Sequence, residues 1–296
     1  MAIPRIASYP MPEIAQFHNN KVNWQADAKR AVLLVHDMQQ YFLDFYDQTQ
    51  APIPELVAHT QALIELAHAQ QIPVVYTAQP GNQTPEHRQL LSDFWGKGLQ
   101  DDPQITRILP SVAPQPQDIV LTKWRYSAFK FSDLEDLMQE WQRDQLMICG
   151  VYAHIGCLTS ALEAFMLNIQ AFLIGDALAD FSQAEHEMAL NYVAQRCGHV
   201  LSTAELSHAW KKTMPEDHST FSSDQIRQLV AKQLNLSVTD MEDEDDLLML
   251  GLDSVQLMSL VSHWNALGAG LSFEELAESP TLHSWIQKLS KTASAS

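Results

Sequence analysis

Apolar runs of strand length recur along the front of the chain, separated by stretches whose apolar residues fall at helical spacing. The run Ala31-Val32-Leu33-Leu34-Val35 is continuous and ends abruptly at His36-Asp37, as expected of a strand buried on both faces of a parallel sheet. Residues 72–76, 119–123, 146–151, 172–176 and 199–201 read as five further strands. Helical spacing covers 54–71, 133–143 and part of 157–168, and Ser182-x-x-Glu185 is a capping box that opens another helix. This alternation predicts an α/β domain with a doubly wound parallel sheet, spanning residues 1–208.

The pattern breaks in three places. Residues 1 to about 30 read as an extended arm, because Pro4, Pro10 and Pro12 fix the backbone and Gln16 to Lys21 shows no periodicity. After Thr77-Ala78-Gln79-Pro80-Gly81 comes a long polar excursion holding Arg88, Trp95 and Asp101-Asp102-Pro103, the length of a lid, a binding loop or an interface. From Lys211 the texture turns polar around Pro215, so 209–220 read as a linker and 221–296 as a separate domain. That domain is helical by pattern, over 223–234, 254–267 and 281–289 with a short turn at 273–277: a small helical bundle.

Charge narrows the function classes. The net charge of −18 argues against nucleic acid or an anionic membrane as partner. Residues 215–296 hold 13 acidic and 4 basic side chains, which is half that charge. No apolar run approaches a membrane span and the N-terminus has no signal-like core, so the expected location is cytoplasmic. Cys149, Cys157 and Cys197 lack zinc-knuckle or CxxC spacing, so neither a disulfide framework nor a metal site is expected.

Asp37 and Lys123 each follow a buried strand, and Gly150-Val151-Tyr152-Ala153-His154-Ile155-Gly156-Cys157 leaves a third in the same direction. If those strands are neighbours, a carboxylate, an ammonium and a backbone-lined turn converge where open α/β sheets bind ligands.

The order His-Asp-Met-Gln (36–39), Thr-Lys-Trp-Arg-Tyr-Ser-Ala-Phe (122–129), Gly-Val-Tyr-Ala-His-Ile-Gly (150–156) and Asp-Ala-Leu-Ala-Asp-Phe-Ser (176–182) resembles the isochorismatases. These belong with cysteine hydrolases that use an Asp, a Lys and a Cys. By the motif Asp37 and Lys123 match the first two, but the thiol position falls on Gly156. Amide hydrolysis needs a nucleophile, so this departure disfavours it, and Cys157, one residue late, is expected to pack. Isochorismate is a vinyl ether and needs only one positioned acid, for which Asp37 is the candidate. Lys123 would lower its pKa, whereas burial and a dianionic substrate would raise it; engagement of Lys123 by substrate oxygens is the expected resolution. The resemblance to phenazine-pathway isochorismatases further implies Gln79, Arg88, Trp95, Tyr126, Tyr152 and Gly156 as pocket residues. Arg88 offers a fork of donors for a carboxylate, and for Trp95 and the tyrosines core packing is the alternative.

Leu-Gly-Leu-Asp-Ser (250–254), followed by an apolar helix, resembles the attachment site of acyl and peptidyl carrier proteins, where the serine bears 4′-phosphopantetheine. Together the two domains look like the bifunctional isochorismatase and aryl carrier proteins of catecholate siderophore synthesis. That implies hydrolysis of isochorismate to 2,3-dihydro-2,3-dihydroxybenzoate and pyruvate, and a carrier at Ser254 loaded with 2,3-dihydroxybenzoate by an adenylating ligase. It also implies as partners a phosphopantetheinyl transferase and a nonribosomal peptide synthetase, and a homodimer. The alternatives are a phenazine-type aminodeoxyisochorismate hydrolase and an inactive hydrolase-fold scaffold with a working carrier.

Overall fold

The computed structural model describes residues 3–17, 19–213 and 223–293, and separates the chain into two compact units, 1–214 and 215–296. Among the described residues no helix is long and apolar enough to cross a membrane.

In the first unit six strands form one parallel sheet: β1 (Ala31–His36), β2 (Val74–Ala78), β3 (Ile119–Thr122), β4 (Gln145–Val151), β5 (Gln170–Ala179) and β6 (Gly198–Leu201). Their order is β3-β2-β1-β4-β5-β6. The chain winds outward from β1 in one direction and then, from β4, in the other, so the topological switch lies between β1 and β4. Alternate residues of β1 explain its unbroken apolar run. Leu33 and Val35 join one core with Leu56, Leu63 and Trp210, while Val32 and Leu34 join the other with Leu134, Leu146 and Leu190.

Helices cover both faces: α1 (Gln40–Leu43) and α2 (Ile53–Ala69), then, beyond the excursion, α6 (Leu134–Glu140), α7 (Leu158–Met166), α8 (Gln183–Arg196) and α9 (Thr203–Thr213). Ser182 caps α8 by accepting from the Glu185 N–H, as its capping box predicts. The excursion itself carries α3 (Pro85–Arg88), α4 (Leu91–Trp95) and α5 (Pro103–Thr106), too short and too polar to show a period. It leaves and returns through a narrow neck. The Asn82 N–H donates to the Leu99 carbonyl at 2.9 Å, and a Cβ on Gly81 would lie 2.6 Å from the Asp101 nitrogen and 2.7 Å from the Gln100 oxygen.

Several boundaries differ from the sequence expectations. The strand expected at 72–76 begins at Val74, because the Ile72 N–H still closes α2 on the Ala67 carbonyl and Pro73 has no N–H to give. The strand expected at 172–176 runs on to Ala179, since Asp176 is satisfied inside it by the Thr203 N–H (2.7 Å) and hydroxyl (2.8 Å). Residue 208 falls inside α9, whose Trp210 is buried in the core. Residues 214–222, which take in the second half of the expected linker, lie outside the described residues. The N-terminal arm has one 3-10 turn, Ile14–Phe17, and buries Ile6, Tyr9 and Ile14.

The second unit holds α10 (Ser223–Leu234), α11 (Ser254–Ala266), α12 (Phe273–Ala277) and α13 (Leu282–Ala293) around a core that includes Leu247, Leu252, Leu257 and Leu276. Trp264 and Trp285 meet edge to face there, 5.7 Å between centroids.

Candidate functional site

The carboxyl ends of β1 to β4 surround a cavity open to solvent. Asp37 leaves β1 with φ 49, a left-handed conformation uncommon for a non-glycine residue, which turns it off the strand axis. Thr77, on neighbouring β2, holds it there: its hydroxyl accepts from the Asp37 N–H at 3.1 Å and donates to Oδ1 at 2.6 Å. The other oxygen, Oδ2, lies 3.0 Å from the Lys123 Nζ at the end of β3 and 3.5 Å from the Gln79 Nε2. Lys123 is fixed in turn by its own N–H, which donates to the Ala78 carbonyl at 2.9 Å.

Asp37 and Lys123 are both 4 % exposed, so their ion pair is buried. Burial alone would raise the Asp37 pKa; the Lys123 ammonium, His36 and hydrogen bonds from Thr77 and Lys123 overcome it and hold the carboxyl below its ordinary value. Paired in this way, Asp37 is a carboxylate at neutral pH. His36, beside it on β1, donates from Nδ1 to the Val151 carbonyl at 2.6 Å. Burial, helped by the Lys123 ammonium, pushes its pKa down to about 4.

The excursion supplies one wall. Arg88 is 4 % exposed, donates from Nε to the Gly96 carbonyl at 2.5 Å, and leaves Nη1 buried without a partner. Burial lowers its pKa, and no carboxylate stands among the groups that offset this. A buried guanidinium with an unused donor, lining a cavity, has the chemistry to receive an anion. Trp95 donates from Nε1 to the Tyr126 hydroxyl at 2.7 Å, which ties the excursion to the segment after β3. Tyr152 donates to the Phe42 carbonyl at 2.9 Å and packs on Phe181, centroids 4.6 Å apart. All eight positions expected at the pocket, from Asp37 through Gly156, line this one cavity.

Gly156 has a steric reason. A Cβ there would run into Cε1 of His36, lie 2.6 Å from its Nε2 and 3.1 Å from the Tyr126 carbonyl oxygen. Cys157 is buried and absent from the cavity wall, and burial raises its thiol well above the ordinary value. Neither position offers a nucleophile. His36, Thr77, Tyr41, Arg125 and Phe181 were not singled out from the sequence, although all but Thr77 line the cavity. His36 carried a readable signal, a polar residue ending an apolar strand next to the candidate acid.

Among the described residues one group could hold a metal, His154, Asp180 and Glu185. Asp180 is already engaged by the His154 N–H (2.6 Å) and ring (2.5 Å) and by the Phe181 N–H (2.8 Å), a brace for the wall that carries Tyr152.

In the second unit Asp253 is the N-cap of α11, accepting from the Val255 and Gln256 N–H groups. Ser254, the first helical residue, is thus released from capping and exposed. Met249, Val255 and Met258, 85 %, 77 % and 61 % exposed, surround it in sequence.

Comparison with known proteins places family models on both units: an isochorismatase domain over residues 31–205 and a phosphopantetheine attachment site over 224–289. The protein named isochorismatase in Bacillus subtilis (strain 168) is 47 % identical, over 99 % of this chain and 97 % of its own length. Enterobactin synthase component B of Escherichia coli (strain K12) is 42 % identical over 98 % of this chain and 99 % of its own. Among solved structures, a cysteine hydrolase from Pseudomonas syringae pv. phaseolicola 1448A superposes with a TM-score of 0.60 at 22 % identity, covering 65 % of this chain and 97 % of that one, a likeness of fold.

Proposed function

The chain belongs to the isochorismatase family and carries a phosphopantetheine attachment domain, and from that premise we propose a two-part function. The first unit hydrolyses isochorismate to pyruvate and 2,3-dihydro-2,3-dihydroxybenzoate. The second holds 2,3-dihydroxybenzoate as a thioester on 4′-phosphopantetheine at Ser254, for nonribosomal assembly of a catecholate siderophore. Likeness over both units to the two full-length relatives supports this reading over a phenazine-type hydrolase, for which a carrier has no task.

The observation that carries the catalytic half is an acid without a nucleophile: Asp37 faces the cavity while Gly156 admits no side chain. Isochorismate is a dianion, and Arg88 offers its unused Nη1 to one carboxylate. The Lys123 ammonium turns to substrate oxygens, which removes the main attraction that keeps Asp37 ionised. Asp37 then takes up a proton and gives it to the methylene carbon of the enolpyruvyl group. Water adds to the resulting oxocarbenium carbon and its released proton returns to Asp37. In the hemiketal the new hydroxyl proton passes to the ring oxygen as the carbon–oxygen bond breaks, leaving pyruvate and the dihydrodiol.

At the carrier, the exposed Ser254 hydroxyl at the start of α11, left out of the cap that Asp253 makes to the Val255 and Gln256 N–H groups, receives the phosphopantetheine arm at the positive end of the helix. The apolar side chains around it and the acidic face of the domain offer docking for a phosphopantetheinyl transferase, an aryl-adenylating ligase and a peptide synthetase. The first unit forms a homodimer, and the protein works in the cytoplasm, where coenzyme A supplies the arm. The test is to follow pyruvate release from isochorismate and, separately, the mass increase on treatment with transferase and coenzyme A. Ser254→Ala keeps the first and loses the second. Absence of pyruvate release by the folded protein would leave only a scaffold with a carrier.

A further inference from the structure

Arg88 is held by backbone. Its Nε donates to the Gly96 carbonyl, and two residues on the chain folds against the far end of the same side chain at Gly98. A Cβ on Gly98 would run into Nη1, lie 2.5 Å from Cζ and 3.0 Å from Nη2, so the whole guanidinium occupies the place of a side chain at 98. Gly96 and Gly98 have φ of 62 and 76, so each turns through the left-handed region that glycine enters most easily. The segment Gly96-Lys97-Gly98 is thus a cradle, and both Arg88 and Gly98 line the cavity.

We propose that Gly98 is a positioning residue for substrate recognition: its missing side chain sets where the Arg88 guanidinium stands, and so where the substrate carboxylate binds. The inference rests on the reading of Arg88 as the carboxylate receptor. Its physical basis is what must move. The cradle backbone is held on one side by the Nε bond to Gly96, whereas the guanidinium is the end of a flexible side chain that is otherwise buried. Space on offer lies in the cavity, so a methyl group at 98 drives the guanidinium toward the volume the substrate needs.

The test is a double-mutant cycle on the full chain, reading kcat and KM for pyruvate release from isochorismate. Arg88→Met keeps an unbranched apolar stem and removes the fork that a Cβ at 98 would meet. Gly98→Ala in the presence of Arg88 raises KM roughly tenfold or more, the worth of one charge-assisted hydrogen bond, with kcat changed much less. In the Arg88→Met background the same substitution changes KM less than about twofold, because no guanidinium is left for the new side chain to displace. An equal effect in the two backgrounds, or loss of kcat at constant KM, overturns the proposal. A silent Arg88→Met instead overturns the reading of Arg88 on which it stands. If Gly98→Ala does not fold, Gly98→Asn, which tolerates a positive φ better, carries the same Cβ into the same place.

Discussion

The His36 imidazole stands in the space that a side chain at Gly156 would need, at the switch between β1 and β4. The two residues are therefore one steric unit. Gly156→Ala is expected to cost about 1–3 kcal/mol by overpacking, and to cost less than half as much in a His36→Ser background. Urea unfolding of the four proteins measures this, and additive costs would show that the ring is not what the new side chain meets.

Asp37→Asn is expected to lower kcat by more than about 100-fold, because an amide of the same shape cannot supply the proton. The buried Lys123 loses its counter-ion at 3.0 Å in this variant, so stability falls too, by roughly 3 kcal/mol. Circular dichroism under assay conditions establishes that the protein is folded. Turnover near that of the unaltered protein would remove Asp37 from its role.

Cys157→Ser is expected to leave turnover within about twofold, and alkylating reagents to leave it unchanged, since the thiol is buried and held protonated. Abolished turnover in a folded Cys157→Ser protein would reinstate a nucleophilic mechanism.

His36 also predicts a pH dependence of stability. Its pKa falls from 6.5 to about 4 on folding. Between those values the unfolded chain takes up a proton that the folded chain refuses, so stability declines as pH drops through that window and is fully retained above it. From about pH 7 to about pH 5 the loss attributable to this residue is about 2 kcal/mol. His36→Asn removes the titration while keeping an N–H for the Val151 carbonyl. Its unfolding free energy should fall less over the same interval, and an equal fall would assign the effect elsewhere.

What the sequence made legible follows from where the physics is local. Strands such as β1 announce themselves because both faces are buried, α10 begins and ends where its helical spacing does, and α12 opens on the Ser272 capping box. Asp37, Lys123 and Ser254 were readable because each sits where an element ends or starts. The helices α3 to α5 were not, since they are held by a neck and by side chains of other segments rather than by an apolar period. The helix α9 was hidden in a largely polar stretch, which Leu206 and Trp210 anchor in the core. The roles of His36 and Gly98 depend on partners 120 and ten residues away in the chain, His36 on Gly156 and Gly98 on Arg88, and no local pattern reports such a pairing.

The neck of the excursion separates two kinds of change during descent. Because Gly81 abuts Asp101, the ends of the insert meet whatever lies between them, and doubling the length of a closed loop costs only about 0.6 kcal/mol. Arg88, Leu91, Trp95, Gly98 and Leu99 all ride on that insert, whereas Asp37, Thr77 and Lys123 are fixed at or just beyond strand ends. A lineage can therefore exchange the insert as a cassette and so replace one wall of the cavity, while inheriting the Asp37–Lys123 ion pair untouched.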